Sequence, residues 1–137
     1  LVDGSGRAGR EQADSDQDEP YSVLRLSPRL APIKCGVFPL VNKDGLPGIA
    51  SEVEEKLRGD GIATYYDSTG SIGRRYARMD EIGTPFCVTV DHQSKEDGKL
   101  TVRERDSGDQ IRIPINSTPQ VISSLIEGHR TFSSFVD

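Results

Sequence analysis

Three short apolar runs alternating with two stretches of helical periodicity constrain this chain more than any other feature. Ile33 to Leu40, Ile62 to Tyr66 and Phe86 to Asp91 are each of strand length. Between the first two, Leu46, Ile49, Ala50, Val53 and Leu57 repeat at the spacing of one helical face, while Glu52, Glu54, Glu55, Lys56 and Arg58 lie mostly off that stripe. Asp44 reads as the N-cap of this helix, Pro47 lies in its first turn, and Gly59 and Gly61 end it. Between the second and third runs, Gly70 and Ser71 lead into a helix whose Ile72, Tyr76 and Met79 share a face, and Gly83 with Pro85 stops it. Strands alternating with helices in this way predict right-handed βαβ crossovers and a parallel sheet core.

After Asp91 the pattern changes. Leu100 to Arg105 and Gln110 to Ile115 alternate polar and apolar residues around Ser107 and Gly108, which predicts an antiparallel hairpin and so a mixed sheet. Thr118 as cap and Pro119 at the first helical position begin a last helix carrying Val121, Ile122, Leu125 and Ile126, with Gly128 just past its end. The expected order is βαβαβββα, an α/β fold.

At 137 residues there is room for one ordinary domain, large enough to bury a core without disulfide or metal help. The expected organisation is an acidic linker or insertion over 1–19, an extended lead-in over 20–32, the folded domain over 33–130 and a C-terminal tail over 131–137. A start at Leu1 rather than methionine suggests excision from a longer polypeptide. The formal net charge of −5 looks wrong for a nucleic-acid binder until it is divided along the chain. Residues 1–19 hold Asp3, Glu11, Asp14, Asp16, Asp18 and Glu19 against Arg7 and Arg10, leaving the remainder close to neutral and free to present a local basic patch. No stretch approaches the roughly 18–20 apolar residues that span a bilayer, and the N-terminus lacks the regions of a signal peptide. No membrane partner is expected, and a cytoplasmic location is, with an organelle as the alternative. Cys35 and Cys87 sit inside apolar runs and read as buried thiols, and His92 and His129 add too few ligands for zinc, so no metal is expected.

Two places carry candidate binding residues. If Asp106 pairs with Asp109 across a two-residue turn, Arg103 stands opposite Arg112 and Arg105 opposite Gln110, all on one sheet face, with Leu100 and Val102 on the other. Facing arginines repel, and either a bound anion or the carboxylates of Glu104, Asp106 or Asp109 must offset that. The stretch from Ser71 to Arg78 places Arg74, Arg75 and Arg78 in the first two turns of a helix, where cations oppose the dipole. A docked polyanion makes sense of them, and so does pairing with Asp80 and Glu81 within the helix. Asp3-Gly4-Ser5-Gly6 and Thr69-Gly70-Ser71-Ile72-Gly73 lack the flanking elements or endings of nucleotide loops, and Val41 to Gly45 is a poor phosphate loop for a flavodoxin-like enzyme. No Gly-x-Ser-x-Gly elbow or other catalytic constellation is present.

The run DSTGSIGRRYARMDEIGTPFCVTVD, Asp67 to Asp91, closely resembles the C-terminal anticodon-binding domain of glycyl-tRNA synthetases of the eukaryotic and archaeal type. Leu30-Ala31-Pro32-Ile33-Lys34, Val102 to Asp106, Gln110 to Pro114 and Glu127-Gly128 are similar to the same family, so the resemblance covers residues 28–130. It implies the class II anticodon-binding domain fold, a mixed five-stranded sheet flanked by three helices. It implies as partners the anticodon of glycine tRNA, whose last two bases are cytosines, and an upstream catalytic domain of the same polypeptide, in a ligase that is usually a homodimer. ATP and Mg²⁺ belong to that catalytic domain, so this chain itself is expected to hold no cofactor and no catalytic site. The tRNA-binding residues it implies are Arg74, Arg75, Arg78, Arg103, Arg105, Asp106, Gln110 and Arg112, the arginines for phosphates and acceptor edges and Asp106 for a cytosine amino group. Tyr76 is either a stacking platform for a base or part of the core. The alternative is a domain of this family recruited as a structural or interaction module, which is expected to have lost the anticodon-facing arginines.

Overall fold

A computed structural model of the chain describes residues 22–136, so the linker expected over 1–19 lies outside the described residues. The long elements follow the expected order: β1 Cys35–Pro39, α1 Leu46–Gly59, β2 Thr64–Tyr66, α2 Ile72–Glu81, β3 Phe86–Val90, β4 Lys99–Glu104, β5 Gln110–Pro114 and α4 Thr118–Glu127. A one-turn helix, α3 at Ser94–Asp97, is added between β3 and β4. It has no apolar stripe to announce it; the Asp91 carboxylate accepts from the Ser94 N–H at 2.9 Å and starts the turn.

The five strands lie in the order β2-β1-β3-β4-β5. β1 pairs in parallel with β2 and with β3, while β3–β4 and β4–β5 are antiparallel, which makes the sheet mixed. Helices α1 and α4 cover one face. There Val37, Val88, Val90, Leu100, Val102, Ile111 and Ile113 pack with Leu46, Ala50, Val53 and Leu57 of α1 and Val121, Ile122 and Leu125 of α4. Helix α2 lies on the other face, where Met79, Ile72 and Tyr76 meet Phe38 and Cys87. Cys35 and Cys87 are free and buried, and burial pushes the Cys35 thiol up to about 12, so it behaves as a small protonated hydrophobe.

The lead-in has no regular structure over 22–27, yet Val23 is buried against Ala77 of α2, and the Leu24 N–H donates to the Asp80 carbonyl at 2.8 Å. It crosses the α2–β3 corner so closely that a Cβ on Gly83, at φ 83°, would meet Leu26 Cδ1 at 2.9 Å. At the other end the chain does not leave the domain at 130. Phe132 is buried in the main core within the 3₁₀ turn Phe132–Phe135.

Two local expectations are corrected. Asp44 does not cap α1: its own backbone is left-handed at φ 61°, and Gly45 takes the cap position with no side-chain hydrogen bond. The Asp44 carboxylate is turned away to His92, 2.9 Å from Nε2. The hairpin register also differs, because the turn is longer than two residues. The Gly108 N–H donates back to the Glu104 carbonyl at 2.9 Å, and Gly108 is left-handed at φ 75°. Arg103 therefore faces Gln110, and Thr101 faces Arg112. A slip of two residues leaves every side chain on its expected face, since the strand period is two.

Candidate nucleic-acid interface

Helix α2 leans on β1 and β3, so the outer part of its sheet face carries the polar side of the hairpin: Thr101, Arg103, Gln110 and Arg112. The register removes the head-on opposition of Arg103 and Arg112, and each guanidinium has its own acid. Arg103 Nη1 and Nη2 reach Asp80 Oδ1 and Oδ2 at 3.2 and 3.4 Å, in a pair where Asp80 is 0% exposed. So Asp80 serves β4 rather than an arginine of its own helix. Arg103 also lies over the Tyr76 ring, 4.6 Å from its centroid, while Tyr76 tilts against Phe38 and its hydroxyl sits 3.3 Å from Thr89 Oγ1. Tyr76 is thus enclosed on both sides and is part of the core.

Arg112 is clamped in the same manner. Its Nη1 and Nη2 donate to Asp91 at 2.9 and 3.0 Å, its Nε to Asp97 at 3.0 Å and its Nη1 also to Thr101 Oγ1 at 3.2 Å. These bonds from Asp91 and Asp97 raise the Arg112 pKa above its ordinary value. Burial pushes the Asp91 carboxyl up, but Arg112 and Ser94 together outweigh it and hold the carboxyl below the usual range. The result is a β5 strand tied to the β3–α3 loop.

Arg105 is 2% exposed and donates to three carbonyls, Gly83 at 2.8 Å, Leu26 at 2.7 Å and Leu24 at 3.2 Å. Its Nε reaches Asp106 Oδ1 at 2.8 Å, and Arg25 donates to the same carboxylate at 3.0 Å. Burial raises the Asp106 carboxyl, and Arg105 and Arg25 overcome that and lower it. Asp106 is therefore an ionised bridge between the hairpin and the lead-in.

On α2 the three arginines part company. Arg75 is buried and donates to the Pro39 and Gly70 carbonyls, with its Nε buried without an acceptor among the described residues. Burial lowers its pKa. Arg78 Nε donates to Asp67 Oδ2 at 2.9 Å, and its Nη2 to Thr69, so it staples α2 to the β2–α2 loop. Arg74 is exposed, and its guanidinium makes no hydrogen bond or ion pair with the described residues. Its N–H is capped by Ser71 Oγ at 3.2 Å, which fixes the first turn that carries it. Gln110 is likewise exposed at the start of β5.

Of the eight expected binding residues, six are held by internal partners; Arg74 and Gln110 are exposed, with no side-chain hydrogen bond or ion pair to the described residues. Sequence reasoning offered Asp80 only to the arginines of its own helix and not to Arg103, and it did not supply Asp67, Asp91, Asp97 or Arg25; all are remote along the chain from the arginine or carboxylate they engage. Among the described residues no group of three or more His, Cys, Asp and Glu could hold a metal ion, and no helix is long and apolar enough to cross a membrane.

This mixed sheet, with its α2 face and polar hairpin, defines the class. Residues 34–125 match the anticodon binding domain family, and the chain belongs to that family. Among proteins it is 56% identical over 110 residues to the glycine–tRNA ligase of Methanococcus maripaludis strain C5, covering 80% of this chain and 19% of that protein. It is 54% identical over 100 residues to the glycine–tRNA ligase of Methanocaldococcus jannaschii, covering 73% and 17%. To that of Treponema denticola it is 46% identical over 119 residues, covering 86% and 26%. The chain spans about a fifth of the length of the first of these curated relatives.

Proposed function

We propose that this chain reads the anticodon of glycine tRNA as one portion of a glycine–tRNA ligase. The observation that carries the reading is the 56% identity over 110 residues to such a ligase, within a family of anticodon binding domains. Arg74 is an exposed cation at the N-terminal turn of α2 and holds a loop phosphate. The Gln110 amide offers an acceptor beside a donor, which fits the Watson–Crick edge of an unpaired cytosine, with its amino group next to N3. Arg75, Arg78, Arg103, Arg105 and Arg112, with Asp106, position these groups by fixing α2, the hairpin and the lead-in. ATP, Mg²⁺ and the ligation chemistry belong to the catalytic domain of the parent enzyme, a cytoplasmic homodimer in this reading.

The recruited-module reading is separated by the exposed residues rather than by the buried arginines, since Arg75, Arg103, Arg105 and Arg112 hold the fold together in either case. Arg74→Glu is expected to weaken binding of a glycine anticodon stem-loop about tenfold and to reduce the salt slope by roughly one. Stability in urea should move by no more than about 0.5 kcal/mol, because the side chain is at the surface. Unchanged affinity and an unchanged slope would remove Arg74 from the interface and favour a module that no longer binds RNA here.

A further inference from the structure

We propose that a groove between the β2 edge of the sheet and α2 binds an unstacked nucleobase of single-stranded RNA, apart from the hairpin face; this rests on the RNA-binding function proposed above. The groove is about 330 Å³ and is lined by Tyr65, Arg78, Met79, Glu81 and Ile82. That volume lies within the range of about 300–1,000 Å³ common to small-ligand sites. Tyr65 is 48% exposed and Ile82 42% exposed, so a ring and an aliphatic side chain stand in water beside each other on a domain whose other apolar residues are mostly buried.

The polarity of the groove is graded. Arg74 and Arg78 follow at four-residue spacing down one side of α2, and Ile82, the residue that caps its C-terminal end, comes four residues later. Both guanidinium-bearing side chains flank Gly70, whose added Cβ would lie 3.7 Å from Arg74 Cδ and 3.8 Å from Arg78 Nη2. Arg78 is held in place by Asp67, with Nη2 2.8 Å from Oδ2, while 41% of its side chain stays exposed. The cationic end therefore takes a phosphate, the Tyr65 ring and the apolar floor of Met79 and Ile82 take the face of a base, and the Glu81 carboxylate keeps phosphate from the far end and accepts from an exocyclic amino group. A protein segment buried here would have to desolvate both the Arg78 guanidinium, 41% exposed, and the exposed Glu81 carboxylate, which is costly without matching partners.

The chain has no tryptophan, so Tyr65→Trp installs a single reporter. Titration with a cytidine hexanucleotide should quench its fluorescence saturably, in parallel with the anisotropy of the labelled RNA. Inorganic polyphosphate, a polyanion without bases, should compete with the RNA and leave the indole unquenched. Tyr65→Ala should weaken hexanucleotide binding about tenfold while Tyr65→Phe keeps it within about twofold, since stacking needs the ring and not the hydroxyl. RNA that binds by anisotropy without quenching, at an affinity indifferent to Tyr65→Ala, overturns the groove alone. Absence of hexanucleotide binding while the glycine anticodon stem-loop still binds overturns the groove alone, and absence of binding by both RNAs overturns the function proposed above and the groove with it.

Discussion

Asp80→Ala is expected to cost about 3–5 kcal/mol of folding stability, the loss typical of removing one partner from a buried ion pair. Asp80 is 0% exposed and the Arg103 side chain 8% exposed, so the guanidinium left behind has neither water nor acid around it. Arg103 is also fixed from the other side by the Tyr76 ring at 4.6 Å, which limits its escape to solvent. A domain of this size has roughly 5–15 kcal/mol in total, so the variant should unfold at a much lower urea concentration with an unchanged slope. The double change Asp80→Leu with Arg103→Met removes both charges and should recover a large part of the loss. A cost under about 1 kcal/mol for Asp80→Ala would mean that the pair is not buried in solution.

Arg105→Ala is the second large effect, expected at about 3 kcal/mol or more. The substitution strips the donor from three carbonyls, of Leu24, Leu26 and Gly83, and leaves the Asp106 carboxylate with Arg25 alone. Each buried acceptor left without a partner costs about 1–3 kcal/mol, reduced where water can enter. Because two of the three carbonyls lie on the lead-in, residues 22–27 should come loose from the α2–β3 corner before the sheet does. Amide exchange should therefore accelerate at Leu24, whose N–H bonds the Asp80 carbonyl, while Val88 and Val102 in the sheet core keep relatively more protection. Uniform loss of protection across the domain would contradict a local anchoring role.

These two predictions concern residues whose roles were only half legible in the sequence. The 3.6-residue and two-residue periods, with the Gly and Pro stops, sufficed for the order of strands and long helices and for the two faces of the hairpin. Those signals are local, and the fold follows them. The pairing of charges is not local: Asp80 meets Arg103, Asp91 and Asp97 meet Arg112, and Arg25 meets Asp106 across turns that bring distant residues together. An arginine also reads as a surface residue unless its position on the helix is weighed. Arg75 lies three residues after Ile72 and four before Met79, on the apolar stripe of α2, which was the available sign of its burial. The hairpin register failed for a related reason, since alternation sets the faces but the turn conformation at Gly108 sets the pairing.

The most direct test of the central claim is fluorescence anisotropy of this chain, at two salt concentrations, with a glycine anticodon stem-loop and with one whose two cytosines are replaced. Tighter, salt-sensitive binding to the cytosine loop is expected, by roughly tenfold for each well-read base, and Gln110→Ala should narrow that difference without unfolding the protein. Equal affinity for the two loops would contradict anticodon reading by this domain.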